Sequence, residues 1–254
     1  MAREAGGRLR SKRFAVVHEA TADFATATEL ADRVLCEAID WLDVDLLTHQ
    51  RTWLGEAATG HRFTWKAMKQ LAQRADIRAH GHFDDNPALS DAGAGRRAIL
   101  VLRNAFPDLD AILLIRDQDN DPERRHGLEQ ARSQGHGGIV IVVGLAIVER
   151  EAWLLSGYEP LDKTETARLE AERTRLGFDP RMRSHELTAC KDDRAKRSPK
   201  RVLRELSGGD WERECRCWRE TDLPTLRERG GENGLAIYIK EVEERLVGLI
   251  GHRS

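Results

Sequence analysis

Two stretches constrain this chain more than any others: Ala111-Ile112-Leu113-Leu114-Ile115 and Ile139-Val140-Ile141-Val142-Val143, both uninterrupted apolar runs of strand length. A strand without polar alternation has no face to offer water, so each run demands a sheet covered on both sides. Residues 123–133 between them read as a helix, and strand, helix and strand in that order make a right-handed crossover between parallel strands. An α/β fold with a parallel sheet follows. At 254 residues, 40% hydrophobic and 33% charged, the chain can bury a full core, although its charged share exceeds the roughly 25% of an average globular protein.

The rest of the chain fits that frame. Residues 13–18 predict a first strand, and Phe24, Ala27, Ala31, Val34, Leu35 and Ala38 recur at helical spacing after it, with Thr21 as the expected N-cap. A short second strand is expected at residues 44–47, a helix through Trp65, Met68, Leu71 and Ala75, a long loop at residues 80–95, and a helix at 98–106 stopped by Pro107. Beyond residue 150 the sequence is mostly helical. Ser198-Pro199 marks one helix start and Gly208-Gly209 its end. The last helix carries Leu235, Ile239, Val242, Leu246 and Leu249 on one stripe, which either packs on the body or forms a seam in a homo-oligomer.

The longest apolar run, residues 138–148, falls short of the roughly 20 residues a membrane helix needs, so no membrane association is expected. The basic N-terminal stretch is followed only by Phe14-Ala15-Val16-Val17, too short for a signal-peptide core, which predicts a cytoplasmic protein. Cys36, Cys190, Cys215 and Cys217 form no C-x-x-C pair and read as reduced thiols. The formal net charge of −2 gives no global pull on nucleic acid. Charge is segregated, however: from Arg181 to Arg204 nine basic residues face three acids, and Lys196 and Arg197 directly precede the Ser198 cap. There they and the helix N-terminus can hold a phosphate, unless the run is simply a solvated helix face.

Open parallel sheets bind ligands beyond the carboxyl ends of their strands. Three such ends carry acids here: Glu19, then Asp117, Asp119 and Asp121, then Glu149 and Glu151. Carboxylates gathered at one edge raise each other's pKa unless a cation neutralises them, and the natural occupants are Mg²⁺ or Mn²⁺, one or two ions. If the chain stays extended beyond its strand, the alternate spacing points Asp117, Asp119 and Asp121 the same way. The plainer reading of that run is a solvated turn capping the next helix. A calcium loop fails, because Pro122 and Leu128 stand where it needs Gly and Glu.

These residues resemble the TOPRIM (topoisomerase-primase) superfamily, whose signature is a Glu after the first strand and a D-x-D after a later one, matched by Glu19 and Asp117-Gln118-Asp119. The closer resemblance is to small stand-alone TOPRIM proteins similar to the nuclease half of OLD-type (overcoming lysogenization defect) defence proteins. Their E-G-x-T-[DE] and E-x-E-A-[WL]-L correspond to Glu19-Ala20-Thr21-Ala22-Asp23 and Glu149-Arg150-Glu151-Ala152-Trp153-Leu154, with Ala20 for Gly and Ala22 inserted. The resemblance implies a parallel-sheet, Rossmann-like TOPRIM-type domain over residues 1–157, with a helical insertion at about 50–106 and a helical C-terminal extension over 158–254.

It implies a Mg²⁺- or Mn²⁺-dependent nuclease acting on DNA or RNA, the effector of an anti-phage defence system with a separate ATPase partner. Asp117 and Asp119 are the expected metal ligands, Asp121 a candidate third, Glu19 a ligand or general base, and Glu151 or Glu149 the completion of a metal site. A lysine near the scissile phosphate is also implied, Lys196 or Lys200.

Two other readings compete. His80-Gly81-His82-Phe83-Asp84-Asp85 resembles the H-x-H-x-D-H zinc motif of metallo-β-lactamase-fold hydrolases, with Asp85 in the place of the last His. A non-enzymatic alternative is a catalytically silent regulatory or interaction subunit of an ATPase complex, since the chain has no phosphate-binding P-loop of its own.

Overall fold

The computed structural model describes residues 10–79, 82–83 and 86–251. Four parallel strands, β1 (Lys12–Val17), β2 (Arg51–Leu54), β5 (Ala111–Asp117) and β6 (Val140–Ala146), form a sheet in the order β2-β1-β5-β6. β3 (His82–Phe83) and β4 (Asn86–Pro87) pair separately as a short antiparallel ribbon. The zinc-like hexapeptide falls largely outside the described residues.

Both faces of the sheet are buried, as its apolar runs require. Phe14, Val16, Leu113, Ile115 and Val142 point to one side, where α1 (Thr21–Ala38), α2 (Val44–Gln50) and the C-terminal helices cover them. Ala15, Val17, Ile112, Leu114, Ile141 and Val143 point to the other, beneath α3 (Trp65–Arg74), α4 (Ala92–Ala105) and α5 (Arg124–Ser133). The C-terminal helices are α6 (Arg150–Ser156), α7 (Lys163–Leu176), α8 (Pro199–Ser207), α9 (Trp211–Arg219), α10 (Leu223–Arg229) and α11 (Leu235–Ile250). They share one apolar core with the sheet, and α11 lays its stripe on β6 and α1, with Tyr238 stacked on Trp153 at 5.1 Å. No helix among the described residues is long and apolar enough to cross a membrane.

Three local expectations give way. Residues 44–47 are helical because the Asp43 carboxylate accepts from Leu46 N at 2.8 Å and caps α2. The strand starts later, at Arg51, which the Asp32 carboxylate holds. The helix placed at residues 98–106 begins at Ala92, so two loop-like glycines lie inside α4; a Cβ on Gly95 would stand 3.0 Å from Ala131, and the missing side chain lets α4 and α5 approach closely. At α1 the cap position belongs to Ala20 rather than Thr21, and Asp23 supplies the acceptor, taking the N–H groups of Ala20 at 2.7 Å and Glu19 at 3.2 Å.

Candidate functional site

Strand order alone locates the crevice. From β1 the chain crosses to β2 on one side, and from β5, the other neighbour of β1, it crosses to β6 on the opposite side. Right-handed crossovers in opposite directions put α1 and α5 on opposite faces and leave a gap between the carboxyl ends of β1 and β5. Glu19 follows β1 there, Asp117 ends β5 and Asp119 lies in the turn after it.

The backbone at this edge is strained. Among the described residues four that are not glycine take positive φ, and three of them belong to this edge: Asp91 (61°), Asp119 (51°) and Val148 (74°). For a β-branched residue such as Val148 that region costs on the order of 1–3 kcal/mol, and such strain collects at functional sites. Asp119 N donates to Val148 O at 3.0 Å, tying the turn after β5 to the residue before Glu149.

That turn also corrects the alternation expected of Asp117, Asp119 and Asp121. The strand stops at Asp117 and the left-handed Asp119 breaks the extended path. The Asp121 carboxylate takes the Ser90 hydroxyl and the Glu123 N–H.

The remaining acids face one another. Burial pushes the Asp117 carboxyl well above the usual carboxylate range, and Asp23, Glu19 and Glu151 push it further, against one opposing bond from Arg150 N to Asp117 Oδ1 at 2.8 Å. Glu19 keeps 38% of its side-chain surface, yet partial burial raises it, Arg116 opposes this, and Asp119 and Asp23 add to it. Glu149 is raised by burial, with Lys200 opposing and Glu151 and Asp119 adding. Five expected site residues, Glu19, Asp117, Asp119, Glu149 and Glu151, therefore stand within electrostatic reach of this one edge.

Sequence reasoning missed the cations between them. Arg124 Nη1 lies 2.7 Å from Asp119 Oδ2, Arg116 Nη1 3.8 Å from Glu19, and Arg150 3.4 Å from Asp23 and 3.0 Å from Glu151. Lys200 Nζ reaches Glu149 at 3.1 Å. Burial alone would lower the Lys200 ammonium, but the bond and charge of Glu149, together with Glu151 and Asp193, outweigh it and the net shift is upward. This contact also brings the basic segment to the acids, and Asn120 Nδ2 adds a bond to Ala189 O at 3.4 Å. Lys196, Arg194 and Arg197 are exposed on that segment.

The donor set is entirely oxygen, which suits a hard divalent ion, and a carboxyl raised by its acidic neighbours marks a shortage of positive charge that such an ion would relieve. Among the described residues no three His, Cys, Asp or Glu side chains already stand as a ligand group. Metal binding would therefore draw the carboxylates away from their arginines. The chemistry of the residues fits Mg²⁺ or Mn²⁺, while the assembled ligand geometry is not preformed. Both tyrosines, Tyr158 and Tyr238, are fully buried and donate to the carbonyls of Leu206 and Ala27, so neither offers a covalent nucleophile.

No family model, curated protein or solved structure matches this chain.

Proposed function

We propose that this edge is the site of a TOPRIM-type, Mg²⁺- or Mn²⁺-dependent nuclease that hydrolyses phosphodiester bonds of DNA or RNA in an anti-phage defence system with a separate ATPase partner. The observation that carries the reading is the meeting, at the switch point of a parallel sheet, of a carboxylate cluster with a basic segment joined to it through Lys200 and Glu149. Glu19, Asp117 and Asp119 would hold the metal, with Glu151 or Glu149 completing the site. When bound, the ion polarises a phosphoryl oxygen and lowers the pKa of water.

The chain's own groups do the rest. Arg150 N fixes the orientation of Asp117. Where Glu19 does not ligate the ion, its carboxyl, raised by burial, is the alternative general base for the attacking water. Lys196 and Lys200, beside the N-terminus of α8, take hold of the phosphate backbone.

A second reading, a catalytically silent subunit of an ATPase complex, is favoured by one feature: the acids already carry internal cations. Supercoiled DNA, linear DNA and RNA, incubated with the protein in Mg²⁺ or Mn²⁺, alone and with a candidate ATPase partner, separate the two. The expected result is cleavage that falls by about 100-fold or more in Glu19→Ala and Asp119→Ala, the loss of groups that stabilise the transition state. Cleavage that persists in both variants sinks the site assignment, and its absence under every condition favours the silent subunit.

A further inference from the structure

Asp91 occupies the N-cap position of α4 but makes no side-chain cap bond. An aspartate there normally accepts from the first turn and stabilises the helix by about 1 kcal/mol. This one is turned elsewhere. Its Oδ2 stands 2.5 Å from Arg116 Nε and 2.7 Å from Arg124 Nε, so a single carboxylate oxygen braces two guanidinium groups. These are charge contacts rather than aligned hydrogen bonds, since Asp91 Oδ2, Arg116 Nε and Arg124 Nε are buried without a hydrogen-bond partner.

Two like-charged guanidiniums share one carboxylate oxygen, so Asp91 alone cannot neutralise both. Each arginine then presents its other end to the crevice. Arg116 Nη1 reaches toward Glu19 and Arg124 Nη1 toward Asp119. The rest of Arg116 is held by the Trp65 ring, 4.8 Å from its guanidinium carbon, and that ring is anchored by a bond from Trp65 Nε1 to Ile115 O.

We propose that Arg116 and Arg124 form a phosphate-binding fork for a nucleic-acid backbone, and that Asp91 is its positioning residue. The proposal rests on the phosphodiester reading of the same edge. Once Glu19 and Asp119 are engaged by a divalent cation, both Nη1 groups lose their carboxylate partners and face the phosphate that the cation attracts. Guanidinium is the side chain best shaped for that task, because its planar donors match phosphate oxygens in pairs.

The sign of one substitution separates positioning from general electrostatics. Asp91→Asn keeps the shape and the left-handed backbone, which Asn also tolerates, but removes a negative charge. Through the electric field alone, that change tightens binding of a polyanion. Through lost bracing, it loosens it.

The probe is a fluorescein-labelled single-stranded oligonucleotide of about 20 nucleotides, its binding followed by anisotropy between about 50 and 200 mM salt, in Ca²⁺ to hold off hydrolysis and again in chelator. Arg116→Ala and Arg124→Ala are each expected to weaken binding about tenfold and to reduce the log–log salt slope by about 0.7, the value for one phosphate contact on a single strand. Asp91→Asn is expected to weaken binding about threefold or more, while Asp40→Asn, an exposed acid elsewhere, leaves it unchanged or slightly tighter. Arg116→Lys and Arg124→Lys keep the charge without the fork and should lose affinity at an unchanged slope, which carries the test should Asp91→Asn fail to fold.

Asp91→Asn binding as tightly as wild type, arginine variants binding normally, or no binding by wild type in either condition would each overturn the fork. A Mn²⁺-induced rise in melting temperature, measured in parallel, keeps the two readings apart. If it persists while the variants bind normally, the metal site stands and the fork falls; if it is missing, the metal reading falls, and the fork, whose donors the cation releases, falls with it.

Discussion

In chelator at about pH 8, Asp117→Asn should melt at a higher temperature than the wild type and gain nothing from Mn²⁺. Burial, and then Asp23, Glu19 and Glu151, hold the Asp117 carboxyl well above its ordinary value in the folded protein. A carboxyl raised on folding favours the folded state fully only below its unfolded pKa, about 3.9, and that advantage is lost as pH rises through the folded value. Where the wild-type carboxyl is ionised, it is therefore a buried, poorly compensated charge. Asparagine does not, and its Oδ1 still accepts from Arg150 N. The gap between variant and wild type should shrink as the pH is lowered and the wild-type carboxyl regains its proton. Mn²⁺ should raise the wild-type melting temperature toward that of the variant, because a divalent ion supplies the missing positive charge. Melting curves across this pH range check both halves, and a variant that melts lower at every pH contradicts them.

Asn233→Ala is expected to cost about 3 kcal/mol and to lower the melting temperature by about 6–12 °C. Asn233 is 1% exposed, and its Nδ2 contacts Ala152 O at 2.8 Å, Ser156 Oγ at 2.7 Å and Ser184 Oγ at 2.8 Å, while its Oδ1 accepts from Leu235 N at 3.0 Å. Truncation removes a partner from each of these buried groups, although Ser156 Oγ still donates to Ala152 O and Arg229 O, and each group left unpaired costs about 1–3 kcal/mol before relaxation. The backbone carbonyl of Asn233 also accepts from Trp153 Nε1 and Ile147 N, so this residue fixes α6 between β6 and α11. Because α6 begins beside Glu149 and carries Glu151, the variant should lose Mn²⁺ response along with stability. Chemical denaturation measures the first, and a loss below about 1 kcal/mol contradicts the role given to this residue.

What was legible in the sequence follows from how local each signal is. The runs at Ala111–Ile115 and Ile139–Val143 announced strands buried on both faces, and the Ser198-Pro199 start of α8 carried its own cap chemistry. The α2 helix was hidden because Val44 to Leu47 is apolar enough to read as a strand, and only the Asp43 cap decides otherwise. The stretch around Gly95 read as a loop because the purpose of that glycine, a close approach to α5, lies in a distant segment. At the candidate site, Glu19, Asp117 and Asp119 stood out as acids at strand ends. Their partners Arg116 and Arg124 did not, because the residue that aligns them, Asp91, comes from the start of another helix. The alternation expected past β5 failed for a conformational reason: no pattern of residue types reports that Asp119 turns left-handed.

Calorimetric titration of Mn²⁺ into the metal-free protein tests the account at its centre. The expected result is saturable binding by the wild type that disappears in both Glu19→Gln and Asp119→Asn, two residues that the fold brings to one edge from strands nearly a hundred positions apart in the chain. Absence of binding, or binding of equal strength in both variants, would contradict it.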